Sequence, residues 1–249
     1  NYLTDVFTEE AVDFIQKNQH RPFFLFLSHI TPHTPLQTIE KYSRRYEHIS
    51  DKRARIYASM VASLDDSVGR IVEELESLGL SENTLVVFAS DNGCAGYFEG
   101  ACSNAPYSGF KRYHQEGGIR IPLIMSWDNF LPRGLTYKQP VITLDLYSTF
   151  VAAAGHAGFY SIDSVNLIPF VKKEVNSSPH KYLYWRSGPT YAIRDERWKL
   201  MRYSVAPYTA RDLGKDGRLT PPKGGWPRKL SSEKITLLYD LKADPSEQN

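Results

Sequence analysis

Two adjacent residues, Asp91 and Asn92, carry side-chain oxygens of the kind that bind hard divalent cations such as Ca²⁺ or Mg²⁺. A carboxylate and an amide carbonyl supply only two ligands, whereas Ca²⁺ usually takes about six to eight oxygens. The triplet Asp91-Asn92-Gly93 is also a common turn sequence. The pair therefore indicates either part of a cation site or a plain turn.

Two further residues have the chemistry to neutralise an anion. His33 lies between Pro32 and Thr34-Pro35, and prolines on both sides stiffen the loop that would aim the imidazole. Lys111 stands in Gly109-Phe110-Lys111-Arg112, and a lysine beside a glycine can reach an anionic ligand as a compact point charge. For each, the alternative is an ordinary structural or solvated side chain.

The elements before these residues would position them at strand ends. The continuous apolar run Pro22–Leu27 predicts a strand buried on both faces, and the loop containing His33 follows it. A second such run, Thr84–Ala89, directly precedes Asp91. Ligands of open α/β sheets bind beyond the carboxyl ends of the strands, so we expect Asp91 and His33 to face one cavity.

The remaining pattern alternates helix and strand up to about Pro179. Apolar residues at intervals of three and four predict helices at Thr8–Lys17, Lys52–Leu78 and Leu144–Ala154, with Gly79 as a helix C-cap. A third strand is predicted at Ile119–Trp127.

After Pro179 the segments are short and aromatic or β-branched, which predicts antiparallel strands. These strands are Tyr182–Arg186, Thr190–Arg194, Trp198–Tyr203 and Leu237–Leu241, with a turn at Asp195-Glu196 and an irregular loop over Ala206–Lys229. We expect an α/β fold: a mostly parallel sheet flanked by helices, plus a small C-terminal antiparallel sheet. The expected domains are residues 1–179 and 180–249.

Composition excludes some functions. The chain has 30 Lys and Arg against 28 Asp and Glu, a net charge of +2, which gives no basic field for nucleic acid. No apolar run approaches the ~20 residues of a membrane span. We interpret Cys94 and Cys102 as unrelated thiols; the alternative is a local disulfide, which needs an oxidising compartment. The chain lacks an initial Met and ends on a polar stretch, so we expect it to be a piece of a longer protein.

Six stretches, in order, resemble the C-terminal half of the arylsulfatase family in the alkaline-phosphatase superfamily. They are PFFLFLSHITPHTPL, SLDDSVGRIVEELESLGL, TLVVFASDNG, GFKRYHQEGGIRIPLIM, RDERWKLMRY and LLYDLKADPSEQN. The resemblance covers most of the chain and implies the alkaline-phosphatase-like fold.

The resemblance also assigns roles. Asp91 and Asn92 match the two later ligands of the family's cation, usually Ca²⁺, with Mg²⁺ possible. Lys111 and His33 match the catalytic residues that contact the sulfate, where their charge would offset the charge that builds as the S–O bond breaks. His114 is a further candidate, which would protonate the leaving group or contact the substrate, and Arg112 is a candidate for substrate binding by its charge.

The family's nucleophile has no counterpart here. Members carry Cys-x-Pro-x-Arg or Ser-x-Pro-x-Arg, whose first residue becomes formylglycine, and neither Cys94 nor Cys102 fits. The family's early aspartate pair is also absent, because Asp65-Asp66 lies inside the long predicted helix. The resemblance therefore implies a missing N-terminal half that supplies formylglycine and the other cation ligands, and a chain that is inactive alone.

These points predict a sulfuric ester hydrolase that releases sulfate from a sulfated carbohydrate, periplasmic or secreted by family habit. Arg112, Tyr113, Trp185, Arg186 and the loop around Trp226 offer cationic and stacking groups for such a ligand, although core packing is the favoured role of the aromatics. The alternatives are a phosphodiesterase or phosphonate hydrolase of the same superfamily, and a non-catalytic fragment that binds sulfated glycans.

Overall fold

The computed structural model describes residues 2–96, 98, 100–156, 163–188, 190–203 and 235–248. The chain forms two compact units, one of residues 1–84 with 100–102 and one of residues 85–99 with 103–249. The domain boundary predicted after residue 179 stays a prediction. Among the described residues, no helix has both the length and the apolar character needed to cross a membrane.

The first unit is helical. It contains α1 (Leu3–Asn18), α2 (Glu40–Ser43) and α3 (Lys52–Ser77), with short 3-10 helices at Arg44–Tyr46 and Ser81–Asn83. The predicted long helix is confirmed: the Asp51 carboxylate caps α3 by accepting the Ala54 N–H at 2.7 Å, and Gly79 follows its end with φ 67°.

Buried hydroxyl groups join α1 to α3. Thr8 Oγ1 donates to Ser67 Oγ at 2.6 Å, and Ser67 Oγ lies 2.9 Å from His29 Nε2. Asp66, on the same helix, pairs with Arg45 through two hydrogen bonds of 2.8 and 2.7 Å. Asp66 therefore forms an ion pair on the helix surface, which is the helix-surface role that the sequence indicated.

The strand predicted at Pro22–Leu27 is not formed within the described part of the chain. The segment alternates instead: Phe23, Leu25 and Leu27 are half-buried, whereas Phe24 and Phe26 are 66% and 78% exposed. The expectation of burial on both faces was wrong, because none of the described strands pairs with this segment.

The second unit begins with a two-stranded sheet. β1 (Val86–Ala89) pairs antiparallel with β2 (Leu123–Ser126), and the helices α4 (Glu116–Ile119), α5 (Asp145–Ala153) and α6 (Ile168–Val171) complete this part. The mostly parallel sheet is thus not present among the described residues. β2 is shorter than predicted because α4 occupies the start of the run and Pro122 has no N–H to donate.

The small C-terminal antiparallel sheet is confirmed. Its strands are β3 (Leu183–Ser187), β4 (Thr190–Arg194), β5 (Trp198–Tyr203) and β6 (Ile235–Asp240), in that spatial order. The turn at Asp195 is also confirmed, since its carboxylate accepts the N–H groups of Arg197 and Trp198 at 2.7 and 2.6 Å.

One face of this sheet forms a core of Ala192, Met201 and Tyr239. Tyr113 and Trp185 pack against it, which confirms the packing role favoured for Trp185 and ties the loop after Lys111 to the sheet. The loop predicted over residues 206–229, including Trp226, lies outside the described residues.

The interpretation of the two cysteines as unrelated thiols was wrong, because Cys94 and Cys102 are disulfide-bonded. In the sequence between them, the Ala95 carbonyl accepts the Phe98 N–H at 2.9 Å, and Gly100 adopts φ 81°.

Candidate active site

The candidate cation ligands lie in a tight turn directly after β1. The Ser90 N–H donates to the Pro122 carbonyl at 3.2 Å, which continues the pairing of β1 with the segment before β2. Ser90 Oγ donates to the Asn92 carbonyl at 2.9 Å and closes the turn. Asp91 is exposed, and in the described part of the chain neither its carboxylate nor the Asn92 side-chain amide has a hydrogen-bond or ion-pair partner.

Backbone hydrogen bonds join this turn to the loop that carries Lys111. The Lys111 N–H donates to the Cys94 carbonyl at 3.1 Å, and the Gly93 N–H donates to the Gly118 carbonyl at 3.1 Å. Within the second loop, the Gly117 N–H donates to the Ser108 carbonyl at 2.7 Å. The loop containing Asp91-Asn92 and the loop containing Lys111 therefore form one bonded structure.

Glycine is required at Gly93, where the two loops touch, and at Gly118, where the Lys111 loop folds back on itself. A Cβ on Gly93 would lie 1.8 Å from the Gly117 carbonyl oxygen, and a Cβ on Gly118 would lie 2.1 Å from that of Tyr113. Both distances are far below van der Waals contact, so no larger residue fits without moving a backbone. The sequence Glu116-Gly117-Gly118 thus permits the close approach of the loops.

The charged side chains at the candidate site do not form ion pairs with other described residues. The Lys111 ammonium forms no ion pair among the described residues, including with Asp91. Because Lys111 and Asp91 are unpaired among the described residues and lie on joined loops, the lysine can bind a ligand anion and the aspartate can bind a metal cation. Arg112, the next residue, is exposed and adopts φ 86°, a left-handed conformation that costs a non-glycine residue about 1–2 kcal/mol.

His33 lies in the first unit, on an exposed loop whose Thr31-Pro32 and Thr34-Pro35 peptide bonds are both cis. Its N–H donates to the Ile30 carbonyl at 2.9 Å, and its Nδ1 lies 2.9 Å from the Thr34 carbonyl oxygen. Because a carbonyl only accepts, Nδ1 carries the proton, and Nε2 is the nitrogen left to face a ligand. The meeting of His33 with Asp91 and Lys111 in one cavity stays a prediction.

Comparison with known proteins identifies the family. The family model described as Sulfatase matches residues 1–156, more than half of the chain. The chain belongs to the sulfatase family. A second model, described as N-sulphoglucosamine sulphohydrolase, C-terminal, matches residues 108–218 of this sulfatase chain. The resemblance drawn from the six sequence stretches is confirmed.

Individual relatives agree with this assignment. Human steryl-sulfatase is 32% identical over 73% of this chain, and mouse N-acetylgalactosamine-6-sulfatase is 35% identical over 79% of it. The crystal structure of Ps i-CgsB covers 100% of this chain with a TM-score of 0.79 and 32% identity. The chain spans only 32%, 38% and 50% of the lengths of these three proteins, respectively.

A buried ionic cluster around Glu116, the first residue of α4, was missed by sequence reasoning. Lys199 is 0% exposed, and its Nζ lies 3.0 Å from Glu116 Oε1 and 2.8 Å from Glu247 Oε1. Arg194 donates to both oxygens of Glu116 at 3.0 and 2.9 Å, and Glu247 Oε2 accepts the Glu116 N–H at 2.6 Å. The cluster thereby connects α4, β4, β5 and the segment around Glu247, and it anchors the end of the Lys111 loop to the C-terminal sheet.

Burial shifts the pKa values of this region in different directions. Burial acts to raise the pKa of Glu116, but the charges of Lys199 and Arg194 outweigh it and lower that pKa below its ordinary value. Burial raises the pKa of Glu247 to about 7, against the opposing attraction of Lys199. For His114, which is 7% exposed, burial and then the charge of Lys199 lower the pKa, and its Nδ1 has no hydrogen-bond partner among the described residues.

Proposed function

We propose that this chain is the C-terminal part of a sulfuric ester hydrolase that releases sulfate, and that it supplies Asp91, Asn92, Lys111 and His33 to the active site. The observation that supports this most strongly is the bonded pair of loops, one of which carries a carboxylate and an amide, and the other an ammonium, that form no ion pair or side-chain hydrogen bond among the described residues. The sulfate-contacting roles of Lys111 and His33 follow from the family resemblance.

Asp91 and Asn92 provide oxygen ligands of the right type for a hard cation, but fewer than such a cation needs. Carboxylate and amide oxygens suit Ca²⁺, or Mg²⁺, and Asp91 and Asn92 would hold it through these oxygens. Among the described residues, no three His, Cys, Asp or Glu side chains converge as a metal site. Bound there, the cation would supply positive charge for a sulfate oxygen, and the remaining ligands and the formylglycine nucleophile would come from the other half of the enzyme.

The chain's own groups have separate tasks in this proposal. Lys111 would bind the sulfate as a point charge and stabilise the negative charge that develops on its oxygens. His33, with the Nδ1 proton held by the Thr34 carbonyl, would present Nε2 to the sulfate ester. Arg112 is exposed and available to the alcohol portion of the substrate, whereas the burial of His114 favours support of the loop over direct contact with substrate.

Exposed apolar side chains in each unit support a partner half of the same enzyme. In the first unit, Phe26 and Ile30 on the extended segment are 78% and 56% exposed. In the second unit, Ile124 on β2 is 61% exposed, and β1 and β2 alone make only a two-stranded sheet, which is marginally stable by itself. Further strands, giving the mostly parallel alkaline-phosphatase-like sheet that we expected, would cover this surface.

A sulfated carbohydrate is the proposed substrate class. N-acetylgalactosamine-6-sulfatase is named for a sulfated sugar, and Ps i-CgsB has been solved in complex with k-i-k-neocarrahexaose. Family membership favours this function over the phosphodiesterase and the non-catalytic alternatives. The disulfide-bonded cysteines support a periplasmic or secreted location, since disulfides persist in oxidising compartments.

Sulfate release tests the proposal. The 249-residue chain alone should release no sulfate from an aryl sulfate or a sulfated oligosaccharide, because the nucleophile is absent. Assembled with the nucleophile-bearing half, it should release sulfate from the sugar ester, and Lys111→Ala should abolish this, whereas Lys181→Ala, an exposed lysine of the same unit, should not. Hydrolysis by the chain alone that disappears in Lys111→Ala would contradict the proposal.

A further inference from the structure

Asn104 occupies the junction between the two loops of the proposed site. Its Oδ1 accepts the Cys94 N–H at 2.8 Å, and its Nδ2 donates to the Cys94 and Gly109 carbonyls, both at 3.1 Å. Cys94 is two residues after Asn92, and Gly109 is two residues before Lys111. One half-buried side chain thus bonds to the backbone on both sides of the candidate chemistry.

We propose that Asn104 is a positioning residue that fixes the Lys111 ammonium relative to the Asp91-Asn92 oxygens. This inference rests on the proposed function and deepens it. Asn104 does not touch the sulfate or the cation in this proposal. It acts through the backbone of the residues that do.

The chemistry of the three hydrogen bonds requires an amide. The site needs one acceptor for an N–H and two donors for carbonyls, and an asparagine side chain supplies both at this length. An aspartate has the same shape and keeps the acceptor, but it has no proton for either carbonyl. An alanine leaves the Cys94 N–H and both carbonyls to find other partners.

Packing places the Asn104 side chain against the glycines at which the two loops meet. A Cβ on Gly93 would lie 3.1 Å from Asn104 Oδ1, and a Cβ on Gly117 would lie 3.0 Å from Asn104 Cβ. The Asn104 side chain therefore fills the gap that the two glycines create. The Cys94 carbonyl also accepts the Lys111 N–H at 3.1 Å, so the bond from Asn104 fixes the group to which Lys111 is itself attached.

Amide hydrogen exchange on the 249-residue chain tests the contact directly. In Asn104→Ala, the amides of Cys94 and Lys111 should exchange about tenfold faster, which corresponds to the loss of one hydrogen bond. In Asn104→Asp, which keeps the acceptor for the Cys94 N–H but has no proton for the two carbonyls, the acceleration should appear at Lys111. The matched control is Asn166→Ala, because Asn166 Oδ1 accepts the Ile168 N–H at 3.0 Å in the same unit, away from these loops. The control should accelerate exchange at Ile168 and leave Lys111 unchanged.

Kinetics on the chain assembled with its nucleophile-bearing half test the consequence. A displacement of about 1 Å should lower kcat/KM for a sulfate ester about 100-fold. The Ca²⁺ concentration for half-maximal activity, and the Ca²⁺ dissociation constant by calorimetry, should rise about tenfold. Asn166→Ala should lower thermal stability without changing any of these values. If Asn104→Ala does not fold, Asn104→Asp, which has the same shape, carries the test.

Two results would overturn the inference. One is exchange at Lys111 and kcat/KM within twofold of wild type in both Asn104 variants. The other is a loss of stability in the Asn104 variants with kcat/KM and Ca²⁺ affinity unchanged, as in the control. If folded, assembled wild-type enzyme released no sulfate, the proposed function would fall, and the exchange measurement would still decide whether Asn104 holds the loops.

Discussion

Replacing Lys199 with methionine should destabilise the second unit strongly. Methionine has a similar length but no charge, so Lys199→Met leaves Glu116 and Glu247 without the ammonium that lies 3.0 and 2.8 Å from them. Lys199 is 0% exposed, and water cannot replace the lost partner. Removing one member of a buried ion pair costs about 3–5 kcal/mol.

Two features of the cluster determine how much free energy of unfolding Lys199→Met should lose within this range. Arg194 still pairs with Glu116, so Glu116 keeps a counter-charge. Glu247 does not, but it can accept a proton, and burial already raises its pKa to about 7. We therefore expect about 3 kcal/mol at pH 6 and a larger loss at pH 8, where keeping Glu247 neutral is harder.

Urea unfolding followed by tryptophan fluorescence measures this free energy. With a slope near 2 kcal/mol/M, 3 kcal/mol shifts the midpoint by about 1.5 M. The matched control is Lys242→Met, since Lys242 pairs with Glu196 at 3.3 Å with both side chains more than half exposed. The control should lose less than about 1 kcal/mol. A Lys199→Met loss no larger than that of the control would refute the claim that the cluster anchors this unit.

Three more outcomes are expected. Glu247→Gln should change the pH dependence of the free energy of unfolding, because the native state keeps the Glu247 proton up to about pH 7 whereas the unfolded state loses it near 4.5. The stabilisation from this proton is full below pH 4.5, fades as the pH rises through 7, and disappears in the variant. A difference between wild type and variant that does not depend on pH in urea titrations would count against this prediction. Gly93→Ala should lower the free energy of unfolding by at least about 2 kcal/mol, because its Cβ would lie 1.8 Å from a carbonyl oxygen. Gly69→Ala on α3, where the Cβ would meet open space, should raise it by about 1 kcal/mol in the same thermal unfolding assay. The isolated chain should bind Ca²⁺ more weakly than about 1 mM by calorimetry, since Asp91 is the one carboxylate that we assign to the site from the described part of the chain, and micromolar binding abolished by Asp91→Ala would contradict the half-site.

The sequence correctly predicted the helices and strands that have clear local signals, namely apolar periodicity, turn residues and helix caps. β4 and β5 follow from alternating apolar residues around the Asp195 turn, and α3 follows from its apolar stripe with the Asp51 cap and Gly79. The prediction of a strand at Pro22–Leu27 was wrong, because an apolar run indicates which side chains a strand would bury but not whether neighbouring strands are present.

The sequence offered the candidate site residues by their types, but it did not reveal the contacts that hold their loops in place. The position of Asp91 and Asn92 directly after a strand was visible from the sequence. The ion pair between Glu116 and Lys199 joins residues 83 positions apart, which no local pattern reveals. One signal was available: Lys199 and Met201 share a face of β5, so strand alternation places that lysine on the core side. Asn104 gave no such signal, because its partners are backbone groups.

A crystal structure of the assembled enzyme with Ca²⁺ and sulfate would test the central claim most directly. We predict Ca²⁺ contacts to Asp91 and Asn92 oxygens at about 2.3–2.6 Å, and a sulfate within hydrogen-bonding distance, about 3 Å, of Lys111 Nζ and His33 Nε2 in one cavity. A cation held without Asp91, or a sulfate site that leaves Lys111 and His33 on separate faces, would contradict the assignment of these residues to one active site.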